Sequence, residues 1–370
     1  MRIALVTQRS VQKGTGQFPA YGAWTEAEDV LIDTVGADLI PLSLPIEDPR
    51  IRFRRQTGRA ARSLLGDRLS LPANPAARSA LKSLSGHYDA IIFVAHSVWD
   101  LQLLERLGNL RKLADCVAVW FLETWPSSLV NTRQVKTEPF HAVDRIFVGM
   151  DGAVEPLANA IDREVTYLPL ASNVTRFGPD LPDTERPIDL IGIGRRRQEQ
   201  HEGMLRWAAD TGRLYLYDSV KVSRPADLNA HRDTIGGWYR SSKLATCNFA
   251  KSDEPAIVGP HRMMPGRLWE GLAAGAGLVG VPPSATSQRE LFGRTVVEAM
   301  PDDPLDLPMF LEEQIERHGP EQTAANVRLA LTGHDWAHRW AALLDELGYG
   351  SPPGLEQRIA SLAERAEKFR

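Results

Sequence analysis

The sequence predicts an α/β protein built from two Rossmann-like units joined by one linker, and three observations carry that prediction. Short apolar runs alternate with longer amphipathic segments along most of the chain. The alternation stops once, at the Pro- and acid-rich stretch FGPDLPDTERP (177–187), and then restarts. Finally, 370 residues are long for one core and suit two domains of ordinary size.

In the first unit, RIALVTQ reads as a strand. A Gly-bearing loop, VQKGTGQFPAYG, and a helix, WTEAEDVLIDTVG, follow it. ADLIPLSLP is a second strand, and the Arg-rich residues 48–76 suit a helix with exposed basic positions. YDAIIFVAH and CVAVWFLET are continuous apolar runs, as strands covered on both faces require. Between them DLQLLERLGNLRKLA predicts a helix. VDRIFVGM, the helix DGAVEPLANAI and VTYLPLA close the unit. Beyond the linker come the strand IDLIGIG, the helix QEQHEGMLRWAADTG, the strand RLYLYDS, and GWYRSSKLATCNFA, a helix passing into a strand. PGRLWEGLAAGAGLVG then gives a helix running into the strand AGLVGVP. TVVEAM and the helices PMFLEEQIERHG and HDWAHRWAALLDELG complete the second unit, and GLEQRIASLAERAEKF forms an amphipathic tail helix after Ser-Pro-Pro. No short-period repeat stands out.

Composition excludes several classes of function. A net charge of −4 argues against a protein built chiefly to bind nucleic acid or an anionic membrane. No run reaches the roughly 18 apolar residues of a membrane span, which leaves peripheral association open. MRIALVTQRS is too short to be a signal h-region. Cys116 and Cys247 stand far apart with no zinc spacing, so a reduced, cytoplasmic location is expected.

Open parallel sheets bind ligands at the carboxyl ends of their strands, and polar residues fall there. His96 ends one strand and Glu123 the next, a paired signal that neither gives alone. Gly14 and Gly16 follow the first strand, but without G-x-G-x-x-G spacing, and a flexible turn explains them equally well. After the linker, Gly194 leads into Arg195, Arg196 and Arg197. Crowding three guanidiniums is costly unless an anion shares their charge, and their forks match phosphate oxygens. A diphosphate fits such a cluster, with a solvated basic turn as the plainer reading. Lys243 is a second basic candidate. Glu270 lies on a helix with Arg267 three residues before it and Gly271, Ala273, Ala274 and Gly275 after it. Small residues let a ligand come close, and a carboxylate accepts two hydrogen bonds from a ribose diol. The plainer reading is an Arg–Glu pair on a solvated surface. PDDP (301–304) reads as a surface turn.

These residues resemble a GT-B glycosyltransferase of the family 4 type, with a group 1 type C-terminal domain. The R-x-x-E-x-x-A-x-G segment falls on Arg267, Glu270, Ala273 and Gly275. VDRIFVGMDGAVEPL, VTYLPLASNVTRFGP and IDLIGIGRR resemble further stretches of such enzymes, and the second half matches best. The resemblance implies two Rossmann-like domains facing a cleft. Residues 1–176 would form an acceptor domain, 187–350 a nucleotide-sugar donor domain, and 351–370 a helix crossing back to the first. It implies transfer of a sugar from a nucleoside-diphosphate donor to a glycan, lipid or small-molecule acceptor. No metal or other cofactor is expected, and retention is one expected outcome. His96 would face the sugar, Glu270 the ribose, and Glu290 would be the acid after the apolar strand. Two positions depart from the pattern. Arg262 stands where the first acid of Glu-x7-Glu belongs, and Gln200 where a lysine belongs, with Arg196, Arg197 or His201 as substitutes. Two alternatives stay open: a GT-B-fold nucleotide-sugar epimerase, and a degenerate protein that binds nucleotide or glycan without turnover.

Overall fold

The computed structural model describes residues 1–8, 22–42, 84–107, 109–129, 137–219, 225, 227–254 and 258–370. Gly14, Gly16 and the Arg-rich stretch 48–76 lie outside them. The described strands form two separate parallel sheets. The first holds β1 (Ile3–Thr7), β2 (Asp38–Pro41), β3 (Tyr88–Ala95), β4 (Ala114–Phe121), β5 (Arg145–Val148) and β6 (Thr166–Tyr167), in the order β2-β1-β3-β4-β5-β6. The second holds β7 (Ile188–Gly192), β8 (Tyr215–Tyr217), β9 (Ser242–Thr246), β10 (Gly277–Gly280) and β11 (Val297–Ala299), in the order β11-β10-β9-β7-β8. In each sheet the strand order reverses once, between β1 and β3 and between β7 and β9. Such switch points leave a crevice at the strands' carboxyl ends.

The apolar runs behave as strands covered on both faces. Leu5, Ile92 and Ala118 align across β1, β3 and β4, and all three are buried. One face of the first sheet carries Ile91, Phe93, Val117 and Val119 against α2 (Val154–Ile161). The other carries Ile92, Ala118 and Trp120 against α1 (Gly22–Val35) and the C-terminal helices α9 (Trp336–Glu346) and α10 (Pro353–Ala366). Trp120 meets Trp336 and Trp340 edge-on, with centroids 5.9 and 5.4 Å away. Trp340 Nε1 donates to the Ala27 carbonyl at 2.6 Å. The return to the first domain therefore begins at Trp336, within the stretch expected to belong to the second domain, and α10 continues it.

The segment expected as one helix over 100–114 is instead two 3-10 stretches, Val98–Leu107 and Leu110–Lys112. Leu101, Leu104, Leu107 and Leu110 recur every third residue and all are buried, which is the period of a 3-10 face rather than an α-helical one. In the second domain, α3 (Gln198–Thr211) and α7 (Leu307–Arg317) cover one face of the sheet. The other face meets α4 (Leu228–Arg240), α5 (Gly266–Ala273) and α8 (Pro320–Gly333).

Two chain crossings join the domains, and they are bonded to each other. Ser172 N donates to the His334 carbonyl, and Trp336 N to the Ser172 carbonyl, both at 3.2 Å. Asp335, with no exposed surface, accepts from Val174 N and Ala337 N at 3.0 Å and pairs with Arg358 at 2.8 Å. At the end of the linker, Arg186 donates at 2.7 Å to the carbonyls of Ser242 and Ala274.

Candidate active site in the interdomain cleft

His96 and Glu123 emerge at the carboxyl ends of β3 and β4, and the structure brings them together: His96 Nε2 lies 3.2 Å from Glu123 Oε2. His96 sits at the switch point, where its backbone N–H donates to Gln8 Oε1 at 3.3 Å, and its ring lies 4.7 Å from that of Trp24. Glu123 also accepts from Trp125 Nε1 at 2.8 Å. A fourth group comes from the facing domain, Lys251, whose Nζ lies 2.8 Å from Glu123 Oε1. Burial pushes the Glu123 carboxyl up. The hydrogen bonds from His96, Lys251 and Trp125 outweigh that push and hold it at about 2. Glu123 is thus a fixed anion beside an imidazole, the arrangement that orients a proton-accepting histidine. A second bridge runs from Ser287 Oγ, at the start of α6 (Ala285–Phe292), to Asp151 of the first domain.

Across the cleft, the loop after β7 carries Gly194 and the three arginines. Gly194 adopts a left-handed φ of 92°, which a side chain would strain, and its N–H donates to Asp218 Oδ2 at 3.1 Å. Two of the three arginines have acidic partners within the chain. Arg195 pairs with Asp253 and Glu254, and Arg196 pairs with Asp218 at 3.0 Å and lies over the Tyr217 ring. Arg197 precedes α3 and has no carboxylate partner among the described residues. A narrow pocket at the ends of β7, β8 and β9 is lined by Arg195, Arg197, Gln200, Tyr215, Thr246 and Asn248. His201, buried beside Arg196 and bonded to Tyr215 Oη at 2.9 Å, is held below its usual pKa by burial and then by the guanidinium.

Glu270 is neither on a solvated surface nor an open acceptor. It is 3% exposed; Oε1 lies 2.6 Å from Arg232 Nη1 and Oε2 2.5 Å from Arg267 Nη1. Arg232 in turn pairs with Glu26 of α1 at 2.8 Å, and Glu26 with Arg176, just before the linker, at 2.8 Å. The resulting chain Arg176–Glu26–Arg232–Glu270–Arg267 alternates in charge and crosses from the first domain to the second. Burial opposes ionisation of Glu270, and the two guanidiniums outweigh it and keep the carboxyl below the usual range. Arg267 ends the chain beside the Gly194 loop: a Cβ on Gly194 would lie 3.5 Å from its Nε.

The small residues of α5, expected to admit a ligand, instead admit neighbouring elements. A Cβ on Gly271 would lie 2.5 Å from Leu278, and one on Gly275 2.8 Å from Thr323. Lys243 is not brought to the cleft. It lies at the amino end of β9, paired with Asp189 at 2.7 Å. Glu290 is exposed on α6, and Arg262 is exposed and stacked over Phe249. Sequence reasoning missed Lys251, Glu26 and Arg232. The first lies in an irregular turn, and the other two are read as helix-surface charges until the domains are placed together.

Among solved structures, the fold is similar to HepE of Anabaena in complex with UDP-glucose, with a TM-score of 0.52 and 10% identity over 94% of this chain and 99% of that one. Weaker likenesses are to UDP-GlcNAc 2-epimerase from Neisseria meningitidis bound to UDP-GlcNAc (TM-score 0.48, 9% identity, 98% and 100% covered) and to AviGT4, a glycosyltransferase involved in avilamycin A biosynthesis (0.45, 11%, 99% and 98%). No protein-family model and no curated protein sequence matches the chain. Two Rossmann-like domains facing a cleft, with a C-terminal helix crossing back, define the class: the fold is GT-B.

Proposed function

We propose that this GT-B protein is a glycosyltransferase that moves a sugar from a nucleoside-diphosphate donor to an acceptor hydroxyl. The observation that carries the reading is the meeting, across the cleft, of a histidine–carboxylate pair with a basic loop. His96 and Glu123 stand at the switch point of the first sheet. Lys251, Arg267 and Arg195–Arg197 stand around that of the second. The cationic side lowers the energy of a departing diphosphate without a metal ion. On the other side His96, oriented by Glu123, takes the acceptor hydroxyl proton as the new C–O bond forms and the bond to the diphosphate breaks. In this reading Arg267 touches the phosphates and Glu270 holds it in place. A ribose contact by Glu270 requires one of its two guanidinium partners to release an oxygen.

The test is a panel of nucleotide sugars with mixed acceptors, read as nucleoside diphosphate released, with and without chelator. Acceptor-dependent release that survives chelation and is lost in His96→Ala supports the reading. Interconversion of the donor sugar without an acceptor points to an epimerase, and binding without turnover to a carrier.

A further inference from the structure

Lys251 joins two sides of the cleft that do different chemistry. Its residue has a left-handed φ of 54°, uncommon for a side chain longer than Asn and a form of strain that gathers at functional sites. Its loop follows β9, beside the switch point, and is anchored to the arginine loop because Asp253 and Glu254 both pair with Arg195. The ammonium therefore belongs to the phosphate side by its backbone. Its Nζ reaches the other way, to Glu123 at 2.8 Å, passing over the Trp125 ring at 4.7 Å.

We propose that Glu123 and the donor's diphosphate compete for Lys251, so that this ion pair is a latch which donor binding releases. The inference rests on the glycosyltransferase reading. Before binding, Lys251 joins the domains through Glu123. A diphosphate seated against Arg267 and the Gly194 loop offers more negative charge than one carboxylate and draws the ammonium away. Glu123 is then left to His96. One event thus completes the phosphate site and frees the proton-accepting pair. A salt bridge that merely braced the domains would have no such link.

The competition makes two substitutions act in opposite directions. Titration of inorganic pyrophosphate, and of ADP, GDP, UDP and dTDP, into the intact protein by calorimetry reads them out. Lys251→Met removes a charged donor to the anion and weakens binding about tenfold or more. Glu123→Gln removes the competitor and tightens binding severalfold. The double variant behaves as Lys251→Met does, since with no ammonium there is nothing to compete for. Thermal unfolding of each variant separates loss of fold from loss of affinity. Weaker binding in Glu123→Gln, or unchanged binding in a folded Lys251→Met, overturns the latch while leaving the glycosyltransferase reading in place. A wild-type protein that binds none of the five probes overturns both.

Discussion

Replacing Arg232 by methionine separates a structural ion network from a surface ornament. The Arg232 side chain is only 4% exposed and is held at three points: Glu26 by Nε and Nη2, at 2.8 and 3.1 Å, and Glu270 by Nη1 at 2.6 Å. Its guanidinium also lies over the Phe177 ring at 4.8 Å, so methionine keeps an apolar contact there. Breaking a buried pair by removing one partner costs about 3–5 kcal/mol. Here neither acid is stranded, because Glu26 keeps Arg176 and Glu270 keeps Arg267. The expected loss is therefore the lower end, about 3 kcal/mol, against about 0–1 for an exposed pair. Urea unfolding at neutral pH measures it, with fluorescence and circular dichroism followed together because the network spans both domains. The acid limb gives a second readout. Glu270 is held below its unfolded value, so its contribution is complete above that value and disappears as pH falls through the folded pKa. With one guanidinium gone the folded pKa rises towards the unfolded value, so the loss becomes smaller and is complete at higher pH. A loss below about 1 kcal/mol with an unmoved acid limb would refute the network as a structural element.

Three further outcomes follow from the packing. Gly275 has a φ of 76° with Thr323 Cγ2 2.8 Å from its would-be Cβ, so Gly275→Ala should lower stability by about 1–3 kcal/mol in urea. Trp340→Ala removes a fully buried ring and its bond to Ala27, and should cost about 3–5 kcal/mol and expose α1 and α9 to hydrogen exchange. Burial, aided by Arg339, holds His334 neutral with a pKa of about 3, and burial holds His318 at about 4. The unfolded chain binds protons at these sites below about 6.5, so stability should fall as pH drops from there towards 4; a flat urea midpoint over that range contradicts both burials.

The parts of the fold written in local pattern were legible. YDAIIFVA and CVAVWFLE are continuous apolar runs, and both are central strands. The FGPDLPDTERP linker separates the two sheets as its composition suggests. The helix Pro320–Gly333 is hard to see in the sequence because its buried face mixes the polar Thr323 and Asn326 with Val327, Ala330 and Leu331, which dilutes the apolar stripe. At the site, His96 and Glu123 were legible because strand ends fix where a side chain emerges. Their link to Lys251 was not, because it depends on how two domains meet. The acidic partners of the arginine run were hidden for the same reason: Asp218, Asp253 and Glu254, distant in sequence, pair with Arg195 and Arg196.

The bridge between Ser172 and Asp335 has a mechanical consequence. Two chain crossings are tied together at one buried point, so sliding one half past the other would break the Ser172–His334 and Trp336–Ser172 hydrogen bonds, whereas a turn about that point would not. Arg176, four residues along from Ser172, anchors one end of the buried ion chain close to that bridge. Glu123 and Lys251 stand at strand ends and loops on opposite sides of the cleft, where their ion pair lies beside the Ser287–Asp151 bridge and the packing of Trp125 and Met150 on Met263. Any opening of the cleft would therefore keep its register at this root, and the same side chains would face each other on closing.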